Sequence, residues 1–99
     1  VRCAMDCEGE SLSRKGKLHL LAAAGEGDQQ VYVFDMQALG REGCEASGLT
    51  AWMENPGITK LMWDCREDAD ALLHQFGTML RGACDLQLAE VLTRADDEP

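Results

Sequence analysis

Residues 58–77 read ITKLMWDCREDADALLHQFG, and the periodicity of that stretch changes partway through. Ile58 to Trp63 is a β-branched-to-apolar run with the length of a buried strand. From Asp64 onward the spacing is helical. Ala69, Leu72, Leu73 and Phe76 fall at i, i+3, i+4 and i+7, and Gly77 follows as a stop. Asp64 and Glu67 stand at capping-box spacing, with Asp in the place usually taken by Ser or Thr. A buried strand feeding an amphipathic helix is half of a crossover unit, so the segment implies a sheet with helices packed on it.

Upstream, Val1 to Cys7 alternates, with Val1, Cys3, Met5 and Cys7 on one face and Arg2, Ala4 and Asp6 on the other. A polar turn around Gly16 leads to KLHLLAAA (17–24), and the Gly-rich GEGDQ leads to QVYVFD (30–35). Three strands with short links predict an antiparallel meander. GREGCEASG (40–48) reads as a loop, and LTAWMEN (49–55) as a short helix stopped by Pro56 and Gly57. Downstream, GACD (82–85) is one more short strand, with Asp85 capping a last helix, LQLAEVLTR (86–94). The expected order is β-β-β-α-β-α-β-α: an α/β fold with a mixed sheet. Residues 1–94 form the domain and residues 95–99 an acidic tail.

The 99 residues carry 9 basic and 18 acidic side chains, a formal net charge of -9. A freestanding nucleic-acid binder usually shows a basic stripe, because neutralising phosphates drives its affinity. This chain lacks one, so contact with nucleic acid requires metal ions, a flanking domain or a protein partner to offset repulsion. Cys3, Cys7, Cys44, Cys65 and Cys84 make an odd number without scaffold spacing, which suits an intracellular, reducing compartment. No run of about 18 apolar residues is present, and no membrane contact is expected. Val1 stands where an initiator methionine would, which is compatible with a piece of a longer polypeptide.

Within AMDCEGE (4–10), Asp6 and Glu8 share one strand face, roughly 7 Å apart at the usual rise per residue. A site for two divalent ions needs such a spread of oxygens. A D-x-E pair is also common where a strand ends at the surface. The first turns of the crossover helix add Glu67, Asp68 and Asp70 at the carboxyl end of the sheet, where open α/β sheets place ligands. On a helical wheel Asp68 and Asp70 flank the apolar stripe on opposite edges, and Glu67 points outward. Geometry alone does not choose between Asp68 and Asp70, and acids there also complement the helix dipole. Arg14, Lys15 and Lys17 cluster just after the D-x-E and are candidates for a phosphate contact; a solvated turn is the plainer reading. His19 and His74 have no nucleophile beside them and read as structural or solvent-facing. Cys3 and Cys7 read as small core residues beside Met5, and Trp52, Trp63 and Phe76 as core aromatics.

MDCEGESLSRKGKLHLL (5–21), KLMWDCREDADALLHQFG (60–77) and DLQLAE (85–90), in that order, closely resemble the 3′–5′ exonuclease domain of the ribonuclease D-like, DEDD type. The likeness runs from Val1 to about Arg94 and implies a ribonuclease H-like fold, incomplete at its C-terminus. It makes Asp6 and Glu8 first-motif metal ligands and Asp68, not Asp70, the second-motif ligand. It implies two Mg2+ or Mn2+ ions and hydrolysis of RNA or DNA from the 3′ end. Asp85 to Gln87 match a segment that is structural in such domains. Two departures stand out. Trp63 occupies a position that is often histidine, which reads as a packing change. The family's third motif, a tyrosine-x-x-x-aspartate or histidine-containing segment on a later helix, has no match: Tyr32 lies on the third strand, and Asp96 and Asp97 lack the tyrosine. A degenerate, non-catalytic exonuclease fold used for binding or scaffolding is the alternative expectation.

Overall fold

The computed structural model describes residues 1–97. Its elements are β1 (Arg2–Glu10), β2 (Lys17–Gly25), β3 (Tyr32–Asp35), α1 (Met36–Ala46), α2 (Leu49–Glu54), β4 (Thr59–Met62), α3 (Arg66–Phe76), β5 (Ala83–Asp85) and α4 (Leu86–Asp97). The five strands form one sheet in the order β3-β2-β1-β4-β5. β1 pairs antiparallel with β2, and β2 with β3; β4 pairs parallel with β1, and β5 with β4. This is the expected mixed α/β sheet of a ribonuclease H-like fold, a meander followed by strand–helix crossovers. α4 continues through 95–97, past the boundary expected at 94, and residues 98 and 99 of the expected acidic tail lie outside the described residues.

The core lies between one face of the sheet and helices α1 to α3. Met5 and Cys7 of β1, Leu18 and Leu21 of β2 and Met62 of β4 meet Met36, Met53, Leu72 and Phe76. Leu18 and Leu21 are three apart, yet both point inward, which strict alternation forbids. A register shift reconciles them: Glu8 pairs with Leu20 and Gly9 with Leu18, leaving His19 as the extra residue of a bulge. Gly9 allows the close approach, because a Cβ there would stand 2.1 Å from the Lys17 carbonyl oxygen. The bulge turns Leu20 out to solvent and sits beside Glu8.

Four sequence expectations need correction. The stretch expected as a loop is mostly helix: α1 is kinked at Gly40 (φ 62°, ψ -173°) and continues through Ala46. Asp35 caps it, accepting from the Ala38 N–H at 3.1 Å, and complete burial of Met36 and Cys44 overrides the poor helix propensity of its glycines. On α3 the inward stripe is Asp68, Ala71, Leu72 and Phe76, rotated from the expected one, and Leu73 is exposed. Asp64 does not cap α3; Cys65 occupies the N-cap without a side-chain bond, and Asp64 adopts φ 49°. Trp63 is not in the core but 60% exposed. β4 ends at Met62, whose side chain fills the core, and Trp63 lies in the bend that follows.

Lys60 is fully buried, an unusual fate for a lysine. Its three ammonium protons are matched by the carbonyl oxygens of Met53 (3.1 Å), Asn55 (2.8 Å) and Arg81 (3.0 Å), so the side chain ties the end of α2 and the chain entering β5 to β4. The ammonium also lies 5.3 Å from the centre of the Trp52 ring. Gly77 ends α3 in the left-handed region (φ 67°), as expected. Among the described residues, no helix is long and apolar enough to cross a membrane.

Candidate metal centre

β4 pairs with β1 only at Arg2, Cys3 and Ala4. Beyond Ala4 the β4-facing edge of β1 has no strand partner, and the first turns of α3 come in beside it. Asp6 and Glu8 therefore project from an open stretch of β1, both exposed, on the face opposite Met5 and Cys7. A hydrogen bond between the two carboxyl groups, and then the Asp6 charge, raise the Glu8 pKa.

Asp68 approaches from the inward stripe of α3 and is only 8% exposed. Its pKa is raised to about 6, first by burial and then by the charge of Asp6, with a smaller push from Glu8. The Cys7 backbone N–H and thiol lie against the carboxylate and favour its charged form, but they offset only part of the rise. The Cys7 thiol is itself pushed far up, by burial first and then by Asp68 and Asp6. Carboxyls from a strand and a helix thus feel one another in a part-buried corner, a condition that a cation relieves.

Asp70, two residues on, is accounted for differently. It accepts from the Arg14 backbone N–H at 2.6 Å and from the guanidinium at 2.9 Å, and Arg14 holds its carboxyl below the usual range. Arg14, a candidate for phosphate contact, thus spends its guanidinium on Asp70, whereas Lys15 and Lys17 are exposed on the same turn. Glu67 is exposed, as expected.

One positioning residue was not anticipated, and a second does more than expected. Gln75, on the buried side of α3, accepts from the Leu18 N–H at 2.9 Å and donates to the Ser13 carbonyl at 2.6 Å, clamping the turn that follows the D-x-E. A polar residue one position before Phe76, close to the inward stripe, was the available signal. Asp85 caps α4 through the Gln87 and Leu88 N–H groups, as expected. It also accepts from the N–H groups of Asp64 (3.0 Å) and Cys65 (3.3 Å), taking the place expected of Asp64 at the entrance to α3. Desolvation opposes its ionisation, but these four N–H groups together hold its carboxyl below the usual range. His19 and His74 pair loosely with Glu10 and Asp70, each at 3.5 Å.

The donors at this corner are all carboxylate oxygens, the chemistry preferred by Mg2+ or Mn2+. Among the described residues, no three His, Cys, Asp or Glu side chains close tightly enough around one point to hold an ion. The acids form an open cluster, with two oxygen-bearing groups on the strand and one on the helix. A cleft of about 300 Å³, lined by Tyr32, Phe34, Leu49 and Trp52, lies at the other end of β1, beside Cys3, and contains none of these acids.

Residues 2–98 match the family model described as 3′–5′ exonuclease. The mouse piRNA biogenesis protein EXD1 is 40% identical over 85 residues, which are 86% of this chain and 14% of that protein. Among solved structures, ribonuclease D of Trypanosoma brucei in complex with RNA U12 superposes with a TM-score of 0.75 at 27% identity, over 87% of this chain and 30% of its own. NrnC of Brucella melitensis superposes with a TM-score of 0.80 at 26% identity, over 95% of this chain and 45% of its own. NrnC has also been solved with bound Mg2+. This chain therefore spans a small part of its curated relative and less than half of either structural neighbour. With the motif order, the sheet topology and a family match over nearly every residue in agreement, the chain belongs to the 3′–5′ exonuclease domain family of the ribonuclease D-like, DEDD type.

Proposed function

We propose that Asp6, Glu8 and Asp68 hold divalent cations, Mg2+ or Mn2+, in a domain that hydrolyses RNA or DNA from its 3′ end. What supports this reading is that Asp6 raises the pKa of both Glu8 and Asp68, so that the three acids stand within electrostatic reach of one another in an open cluster. The bound ions supply an activated water and stabilise the departing oxygen. The chain's own residues do the rest. Asp6 and Glu8 present their oxygens from a strand edge left open by the short β4, and Asp68 would add its carboxylate from α3. Lys15 meets a substrate phosphate, and Arg14, held by Asp70, keeps the turn in position for it. A fourth carboxylate from a flanking domain or a protein partner completes the site. The neighbours solved with RNA U12 and with pGG support a nucleic-acid substrate.

A manganese titration followed by amide NMR tests the reading. Paramagnetic broadening confined to the surroundings of Asp6, Glu8 and Asp68, together with shortening of a 5′-labelled oligonucleotide from its 3′ end, is the expected result. Diffuse broadening, or equal broadening in Asp6→Ala, removes the metal site. A second reading, a non-catalytic exonuclease fold used for binding, is favoured by the open geometry of the cluster among the described residues. It predicts oligonucleotide binding without hydrolysis when manganese saturates the acids.

A further inference from the structure

We propose that the free edge of β3 and the cleft beside it dock an extended peptide of another protein, apolar at its centre and carrying Lys or Arg at its ends. The site is separate from the acids, which stand at the other end of β1.

β3 is the outermost strand and pairs only with β2. Among the described residues, no other backbone group bonds to Tyr32, Val33 or Phe34. Alternate N–H and C=O groups of the strand therefore face solvent. Sheets commonly guard such an edge with Lys, Pro or a bulge. Here it reads VYVF (31–34), without a charge or a proline, and Val31 and Val33 are 64% and 61% exposed. An unguarded apolar edge of this kind accepts a further strand.

The register pairs Tyr32 with Ala23 and Phe34 with Leu21, so both aromatic residues lie on the core face of the sheet. Both line the cleft of about 300 Å³. Tyr32, Ser47 and Gly48 are exposed, whereas Leu49 is buried and Cys3 and Trp52 are half-buried. The cleft thus opens between β3 and the link from α1 to α2, and closes toward β1. A strand added to β3 places every second side chain on the core face, at this mouth. The volume suits one or two apolar side chains and lies at the bottom of the range, about 300–1,000 Å³, that small-molecule sites span. Main-chain pairing then supplies affinity, and the cleft selects the central side chain.

Charge decides the occupant. From Gly25 to Glu54 the sequence has one basic residue, Arg41, and its guanidinium is bonded to the carbonyls of His74 and Gln75 on α3. Acids bracket the strand: Asp28 precedes it and Asp35 ends it, both exposed. The Asp28 carboxylate stands over Gly25 at the cleft, 3.0 Å from where a Cβ on that glycine would lie. A second copy of this chain would set the same acids against these, and a phosphate backbone would meet them too. A peptide with basic ends is attracted instead.

The experiment is an amide NMR titration of the chain with acetyl-Lys-Val-Phe-Val-Lys-amide. Two controls accompany it: the analogue with Glu at both ends, and the basic peptide N-methylated at its three central residues, which removes the donors of both strand edges. The expected result is saturable shifts at residues 31–35 and 47–49, with the amides of Asp6, Glu8 and Asp68 unmoved. Both controls should bind about tenfold more weakly or worse. Tyr32→Ala, at the exposed mouth, should weaken binding by about tenfold. Asp28→Lys should weaken it by about threefold at low salt, and by less at high salt. Circular dichroism verifies that both variants fold. Unchanged affinity in Tyr32→Ala overturns the proposal, as does an N-methylated peptide that binds as tightly as its parent. Equal binding of the Glu-ended analogue removes the charge argument and the proposed partner with it. Concentration-dependent shifts at residues 31–35 without peptide, accompanied by a dimer in sedimentation, would assign the edge to a second copy and overturn it likewise.

Discussion

Arg14 holds Asp70 through its own backbone N–H at 2.6 Å and through its guanidinium at 2.9 Å. This contact pins the turn after β1 to α3, two residues beyond Asp68. It also separates two acids that a helical wheel treats alike. Asp70 has a cation and a depressed pKa, whereas Asp68 faces Cys7 and other acids and has a raised one.

Because Asp70 binds its proton less readily in the folded chain, its contribution to stability is present above the unfolded carboxyl pKa and is lost as pH falls through the lower folded value. Asp70→Asn is expected to remove that acid-side loss and to speed amide exchange at Arg14 and Leu18, where the turn is clamped. Unchanged exchange at both amides would show that Gln75 holds the turn alone.

Asp68 carries the opposite sign. Its carboxyl moves from 3.8 to about 6 on folding, so across that window the folded chain binds more protons and stability falls as pH rises. Asp68→Asn should flatten this slope and stabilise the metal-free chain at pH 7.5 by about 1–2 kcal/mol, part of the shift being offset by burial of the amide. Denaturant unfolding at pH 4.5 and 7.5 measures both effects. A metal-free Asp68→Asn chain less stable than its parent at pH 7.5 contradicts the electrostatic account.

Gly9 faces the Lys17 carbonyl so closely that Gly9→Ala must open the bulge between β1 and β2. A loss of about 1–3 kcal/mol follows from the forced contact. Amide shifts should change first at Glu8 and Leu18. Manganese affinity should fall as well, since the bulge sits beside Glu8.

Lys60→Met keeps the buried stem but leaves the carbonyls of Met53, Asn55 and Arg81 without their donor. Unfolding by denaturant should show a loss of about 2 kcal/mol or more. A neutral substitution would mean that water replaces the ammonium.

The sequence by itself determined the acids, the strand or helix character of most segments, and the order of the elements apart from α1. Those features are local: alternation and helical spacing are written within a few residues. Asp6 and Glu8 were legible because a strand puts alternate residues on one face. What the tertiary structure decided depends on contacts between distant segments. The bulge at His19 exists because both Leu18 and Leu21 are drawn to one core, and α1 is helical because Met36 and Cys44 are buried there. α3 is rotated so that Asp68 points inward, and Asp85 from the next strand takes the backbone groups that Asp64 was expected to serve. Lys60 is buried because the carbonyls of Met53, Asn55 and Arg81 converge on its ammonium, and Trp63 is exposed in the bend after β4. Local spacing says which residues share a face; only the packing of distant segments says which face is buried and what it meets.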